Sequence, residues 1–390
     1  MRQQLEGSHA VASAVARCRP RVIAAYPITP QTHIIEHLAR MIADGDLDSE
    51  FVSAESEFAA ASIVLGAVAT GERAFTATAS QGLLLMTEVL FNIAGLRLPV
   101  VMICANRAVS APISIFNDHQ DSMSLRDAGW IQLYVESNQE AADTVVQAYR
   151  IAETCALPVM VCMDGFFLTH TFEPVELPTQ EEVDRYLPPL RFPRALNPAR
   201  PMTLGGGAEP DNYLEYRASQ HRALDDAAET IAHASTEYAQ VTGRDHGGLF
   251  EAYRLADAHT VVVALGSVMG AIKDSVDALR HQGQAVGALR LRCFRPFPSQ
   301  ALVRALAGAQ RIVVVEKALS AGAGGILACE LRACLQQAGS ACPVHGFVGG
   351  LGGRDLTVNT LTAVIDAAAK SPAPACRFID CHETGPLETG

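Results

Sequence analysis

Three residues in this sequence carry groups able to do chemistry and share one setting, each just past a short apolar run. Thr29 follows VIAAY in the stretch AAYPITPQTHIIEHLA. A threonine there can act as the N-cap of the next helix, with Pro30 at its first position, or as a hydroxyl on the rim of a site. Glu57 follows FVSA and opens the apolar helical pattern FAAASIVLGAVAT. The helix dipole favours a carboxylate at that point, so a structural cap and a catalytic acid are both consistent with it. Arg107 follows VVMICAN in a loop with Asn106, Asp118, His119 and Asp121. Its planar guanidinium suits bidentate binding of a carboxylate, and equally an ion pair with Asp118 or Asp121. His119, between acidic neighbours, offers a metal ligand, a proton carrier or a structural hydrogen bond.

The elements that must position these groups are written as alternating short β-branched runs and longer helical patterns over residues 21–165. Six near-continuous apolar runs, VIAAY, FVSA, AFTATAS, VVMICAN, WIQLYVE and PVMVCMD, predict a parallel sheet covered on both faces. In such sheets ligands bind in the crevice beyond the carboxyl ends of the strands, where Thr29, Glu57 and Arg107 fall. Residues 166–255 break the rhythm with a Pro/Gly-rich excursion and a polar helix through DDAAETIAHASTEYAQ, predicted to serve as a connector. The α/β rhythm resumes over residues 256–370, including the turn ALSAGAGGI, and residues 371–390 form a Pro-rich polar tail. The glycines of that turn suit either a phosphate or a tight strand-to-helix connection.

Bulk composition narrows the function classes. The chain has 390 residues, 49% hydrophobic and 18% charged, with a net charge of -12. That excludes the basic footprint of a nucleic-acid or anionic-membrane binder. Its 10 cysteines are scattered without a CxxC, so neither an iron–sulfur run nor a zinc ribbon is written here. Most lie in apolar runs, as reduced buried thiols do. No secretory leader pattern opens the sequence and no apolar run reaches the roughly 18 residues of a membrane span, which predicts a cytoplasmic protein. A dinucleotide-binding dehydrogenase fails for want of GxGxxG between first strand and helix.

YPITP, the glutamate in ESE, TATASQGLLLMTEVLF, ANRAVSAPISIFNDHQDSMS followed by RDAGWIQ, LTHTFEPVELP, RPFP and GGLGGRDLT stand in order between about residues 8 and 370. Together they resemble the alpha subunit of the pyruvate-type 2-oxoacid:ferredoxin oxidoreductases. The resemblance implies that residues 1–165 are the pyrimidine-binding half of a thiamine diphosphate site. Residues 256–370 would be an α/β domain of the transketolase carboxy-terminal type. It implies that Glu57 hydrogen-bonds the cofactor's pyrimidine ring, that Arg107 anchors the substrate carboxylate, and that Thr29 hydrogen-bonds the substrate. The family's GDG motif is missing, since DGDL at Asp44 to Leu47 has the wrong order. A beta subunit is therefore expected to supply the diphosphate and Mg2+ half-site, with iron–sulfur clusters on further, gamma-type and related subunits. The implied reaction converts a 2-oxoacid and coenzyme A to acyl-CoA and CO2, passing electrons to ferredoxin or a similar acceptor. Pyruvate is the leading substrate. Phenylglyoxylate or a branched-chain 2-oxoacid is the alternative, because ALSAGAGGI departs from the phenylalanine-containing turn expected in pyruvate enzymes. A non-catalytic scaffold subunit is the rival from another class.

Overall fold

The computed structural model describes residues 2–370, 372, 373 and 376–382. The chain forms two compact units: residues 1–252 with 265–269 and 290–298, and residues 253–264 with 270–289 and 299–390. In the first unit, β1 (Gln3–Glu6), α1 (Gly7–Arg17), β2 (Val22–Ala25), α2 (Thr32–Ala43), β3 (Glu50–Ser53) and α3 (Glu57–Ala69) come first. β4 (Ala74–Thr78), α4 (Ser80–Leu85), α5 (Thr87–Gly95), β5 (Val101–Asn106), α6 (Gln120–Ser124) and β6 (Ile131–Tyr134) follow. α7 (Asn138–Cys155), β7 (Val159–Asp164), β8 (Phe172–Val175), α8 (Gln180–Tyr186) and α9 (Tyr213–Thr242) complete its larger part. The remaining elements are β9 (Phe250–Tyr253), β10 (Thr260–Ala264), α10 (Met269–His281), β11 (Val286–Leu291), β12 (Cys293–Arg295), α11 (Ser299–Ala305), β13 (Arg311–Glu316), α12 (Ile326–Gln337), β14 (Val344–Val348), α13 (Val358–Lys370) and β15 (Arg377–Phe378).

The sheet of the first unit has the order β12-β6-β7-β5-β4-β2-β3. All neighbours run parallel except the edge strand β12, which is antiparallel to β6. The six apolar runs become β2 to β7, as an α/β sheet requires. Alternation along each strand divides its side chains between two faces. Val101 and Ile103 of β5 and Val159 and Val161 of β7 join a core with α1, α2 and α7, whereas Met102, Cys104, Met160 and Cys162 are buried outside that cluster. α1 reads GSHAVASAVAR, and its small residues let it pack against both α2 and α7.

Residues 166–252 belong to this unit. Val183 and Tyr186 of α8 and Ile231 and Tyr238 of α9 lie in the same core as α1 and α7. Thr179 and Glu182 cap α8 reciprocally. Buried charge ties the segment down. Glu140 of α7 accepts from Arg290 Nη1 at 2.6 Å and Arg292 Nε at 2.9 Å, and Arg292 donates also to the carbonyl of Gly248. Asp143, one turn further on, accepts two bonds from Arg244 and one from the Tyr238 hydroxyl.

The second sheet has the order β15-β14-β13-β10-β11-β9, with β10, β13, β14 and β15 mutually parallel in sequence of pairing. Of the expected polar tail, Arg377 and Phe378 pair with β14, and residues 383–390 lie outside the described residues. All ten cysteines are free, and Cys18, Cys104, Cys162, Cys293 and Cys334 are buried. Among the described residues no helix is long and apolar enough to cross a membrane.

Candidate active site

The loops beyond β2, β3, β4 and β5 are stitched together by a few buried polar groups. Asp121, fully buried in α6, is the centre. Its carboxylate accepts the backbone N–H of Ser80 at 2.9 Å, that of Arg107 at 3.0 Å, that of Ser122 at 2.8 Å and the side-chain amide of Asn106 at 2.8 Å. A carboxylate satisfied by this many donors fixes the start of α4 and the turn after β5 to each other. Ser80 sits at φ 49, and its hydroxyl bonds the carbonyl of Ala108, which closes the same junction.

Arg107 leaves that junction and reaches the loop after β2. Its Nε donates to the carbonyl of Ser114 at 3.1 Å and its Nη1 to the carbonyl of Thr29 at 2.9 Å. The guanidinium therefore engages main-chain oxygens, and Asp121 meets only the backbone N–H of this residue. The side chain is largely buried, and burial lowers its pKa against the opposing pull of Asp121.

Thr29 is exposed and precedes a cis bond to Pro30. It does not cap α2, so of the two options its sequence position offers the structure removes the cap. The turn continues through Gln31, whose N–H bonds the carbonyl of Ile28 and whose buried amide donates to the carbonyl of Tyr26. The helix begins only at Thr32 with Gln31 at the N-cap position, so neither Thr29 nor Pro30 is part of it.

At Glu57 the neighbouring serine takes the capping role. Ser56 is the N-cap of α3, and its hydroxyl accepts from the N–H of Ala59 at 3.2 Å. Glu57, 7% exposed, instead lays its carboxylate over Gly82 of α4. A Cβ at Gly82 would come within 2.6 Å of both Glu57 Oε1 and the Thr78 hydroxyl, so the close approach requires glycine there. The Thr78 hydroxyl is buried without a hydrogen-bond partner, which places an unsatisfied polar group beside the carboxylate. The cradle of Glu57, Thr78 and Gly82 thus offers an acid and a hydroxyl at one spot, a fit for a heteroaromatic ring that carries ring nitrogen and amino groups.

His119 takes the structural option. Its Nε2 lies 2.7 Å from Asp164 Oδ1 with both groups buried, and Asp164 also accepts from the N–H and hydroxyl of Ser267. Gly266, at φ 71, closes over this pair, where a Cβ would come within 2.9 Å of Asp164 Oδ1. Sequence reasoning missed Asp121, Thr78 and Gly82 as site-builders. The SQG after β4 was the one available signal, and the contacts that give it meaning are remote in sequence.

A parallel sheet with a buried glutamate at one strand end and an arginine–threonine pair at two others is the α/β arrangement that the sequence resemblance implies for a thiamine diphosphate site. Comparison with known proteins agrees. The model of the thiamine-diphosphate-binding domain of pyruvate flavodoxin/ferredoxin oxidoreductase matches residues 13–236, and that of pyruvate:ferredoxin oxidoreductase core domain II matches residues 258–361. The pyruvate synthase subunit PorA of Methanosarcina barkeri is 49% identical over 94% of this chain and 92% of its own length. That of Methanocaldococcus jannaschii is 48% identical over 97% of this chain and 98% of its own. The ketoisovalerate oxidoreductase subunit VorA of Pyrococcus abyssi is 41% identical over 95% of this chain and 94% of its own. Among solved structures, the 2-oxoglutarate:ferredoxin oxidoreductase of Magnetococcus marinus superposes with a TM-score of 0.71 at 20% identity. It covers 94% of this chain, which spans 65% of the solved chain's length, and the likeness supports the fold. This chain belongs to the family of alpha subunits of the thiamine-diphosphate-dependent 2-oxoacid:ferredoxin oxidoreductases.

Proposed function

We propose that the chain, assembled with its partner subunits in the cytoplasm, oxidatively decarboxylates pyruvate with coenzyme A to acetyl-CoA and CO2 and releases the electron pair to ferredoxin or a similar acceptor. The observation that carries this reading is Glu57, freed from capping by Ser56 and held against Thr78 over Gly82. When bound, thiamine diphosphate supplies a nucleophilic carbon and an electron sink for loss of CO2. Glu57 holds the pyrimidine ring and shares a proton with its nitrogen, the acid–base step that a positioned carboxyl performs. Arg107, tethered through Nε and Nη1 with Nη2 uncommitted among the described residues, orients the substrate carboxylate. Thr29, exposed at the rim, hydrogen-bonds the 2-oxoacid.

The second half of the site is assigned to a beta subunit carrying the diphosphate and Mg2+ contacts, and the iron–sulfur clusters to gamma-type and other subunits. Apolar side chains next to the site support such a contact: Phe58 after Glu57, Leu85 on α4, and Ile113, Ile115 and Phe116 on the Arg107 loop are all exposed. Residues 256–370 act as the transketolase carboxy-terminal-like domain. Similarity to the ketoisovalerate enzyme's subunit favours a branched-chain 2-oxoacid as the second reading. Assay of the purified complex with pyruvate, 2-oxoisovalerate and phenylglyoxylate, with coenzyme A and a ferredoxin acceptor, tests the choice. Pyruvate is expected to give the highest kcat/KM.

A further inference from the structure

Away from the strand-end site, three segments remote in sequence bring metal-binding groups together. Glu6 ends β1, His33 lies in the first turn of α2, and His170 precedes β8; their ligand atoms all lie within 4.8 Å of one another. The fold fixes the arrangement. β1 and β8 pair antiparallel with Glu6 opposite Phe172, two residues past His170. Although Glu6 stands at the N-cap position of α1, its carboxylate makes no capping bond and turns instead to His33 Nδ1 at 2.6 Å. The His33 and His170 rings lie 4.6 Å apart.

An ion pair between Glu6 and His33 accounts for two of the three groups. It does not account for His170, whose Nδ1 lies 2.7 Å from the Thr169 hydroxyl. That hydroxyl also accepts the N–H of Phe166 at 2.8 Å and is held in a buried residue. A hydrogen bond between a fixed hydroxyl and one ring nitrogen orients the imidazole, the usual outer support of a metal-bound histidine. Tetrahedral Zn–N and Zn–O bonds of about 2.0–2.2 Å set donor atoms about 3.3–3.5 Å apart, so the Glu6–His33 pair needs to open by less than about 1 Å.

We propose that Glu6, His33 and His170 bind a divalent first-row transition metal, with Zn2+ the best fit to two imidazoles and a carboxylate and water in the fourth position. The ion clips β1 to α2 and to the turn before β8. In the chain, His33 stands two residues past Gln31, the last residue of the Tyr26–Gln31 turn.

The full chain, freed of metal by dialysis against chelator, is titrated with Zn2+ in competition with a micromolar indicator, and with Co2+ as a spectroscopic probe. The expected result is one Zn2+ per chain, an intense visible Co2+ band of tetrahedral type, and loss of at least 10-fold in affinity in His170→Ala and in Glu6→Gln. Thr169→Val, which keeps all three ligands, is expected to weaken binding by about 10-fold. His281→Ala, on α10 and outside the cluster, is expected to change nothing. If His170→Ala does not fold, His33→Ala on the more exposed side of the cluster replaces it. Failure to compete with the indicator, Zn2+ affinity unchanged in the cluster variants, or a weak octahedral Co2+ spectrum overturns the site.

Discussion

Glu57 and Arg107 each had two readings in the sequence, and the structure gives their local alternatives to other groups. Ser56 caps α3, and Asp121 spends its carboxylate on N–H groups. Glu57→Gln therefore removes the acid without removing a cap. It is expected to leave the melting temperature within a degree or two while slowing turnover of the assembled enzyme by roughly 10²-fold or more. Turnover close to wild type would return Glu57 to a packing role. Arg107→Ala is expected to lower kcat/KM for the 2-oxoacid by about 10- to 100-fold, the scale of a lost charge-assisted bond, with lysine restoring only part of it. Because the guanidinium also holds the carbonyls of Ser114 and Thr29, some loss of melting temperature accompanies it. Lower melting with unchanged kcat/KM would assign Arg107 to loop architecture alone. The positions of Glu57, Arg107 and Thr29 at strand ends were legible because residue type and position after an apolar run can be read locally. Asp121, Thr78 and Gly82 were not, since their meaning lies in contacts between the ends of different strands. The capping option for Thr29 falls away because a Thr-Pro pair marks a helix start only when the preceding turn has ended, and here the turn runs on to Gln31.

Among the elements, β2 to β7 could be read from their apolar runs, which a sheet buried on both faces demands. β1 and β8 could not. QQLE and FEPV are four-residue strands, mostly exposed or half-buried, whose only ladder among the described residues is to each other across most of the first unit. α9 extends to 30 residues, beyond the stretch whose pattern marked it, because α7 and α8 pack on it. The buried charges that hold this region yield a pH prediction. Burial acts to raise the pKa of Glu140, but Arg290 and Arg292 outweigh it and hold the carboxyl at about 2, against an ordinary 4.5. A folded-state pKa below the unfolded one stabilises the protein above about pH 4.5 and loses that contribution as pH falls through about 2. Glu140→Gln takes from the fully buried Arg292 the carboxylate it pairs with, while Arg290 keeps Glu136 and Glu251, and the expected destabilisation is about 3–5 kcal/mol. Thermal melts across the acid range should show a shallower loss of stability in the variant than in the wild type. Equal slopes would remove Glu140 from the acid response.

For the molecule as a whole, family membership and the exposed apolar side chains beside Glu57 and Arg107 accord with the proposal that this chain holds half of a cofactor site. Calorimetry on the isolated chain is accordingly expected to show no tight, Mg2+-dependent thiamine diphosphate binding, whereas the assembled complex binds it. Tight binding by the lone chain would place the diphosphate contacts here as well. The central claim, that this chain furnishes Glu57 to a 2-oxoacid oxidoreductase, is tested most directly by one comparison. Complexes carrying wild-type or Glu57→Gln chain are purified with their partner subunits and assayed for pyruvate- and coenzyme A-dependent ferredoxin reduction. The account predicts acceptor reduction that requires both substrates in the wild type, and at least about 10²-fold less in an equally assembled variant. Absence of 2-oxoacid-dependent reduction in the wild-type complex, or equal rates in the two, would contradict it.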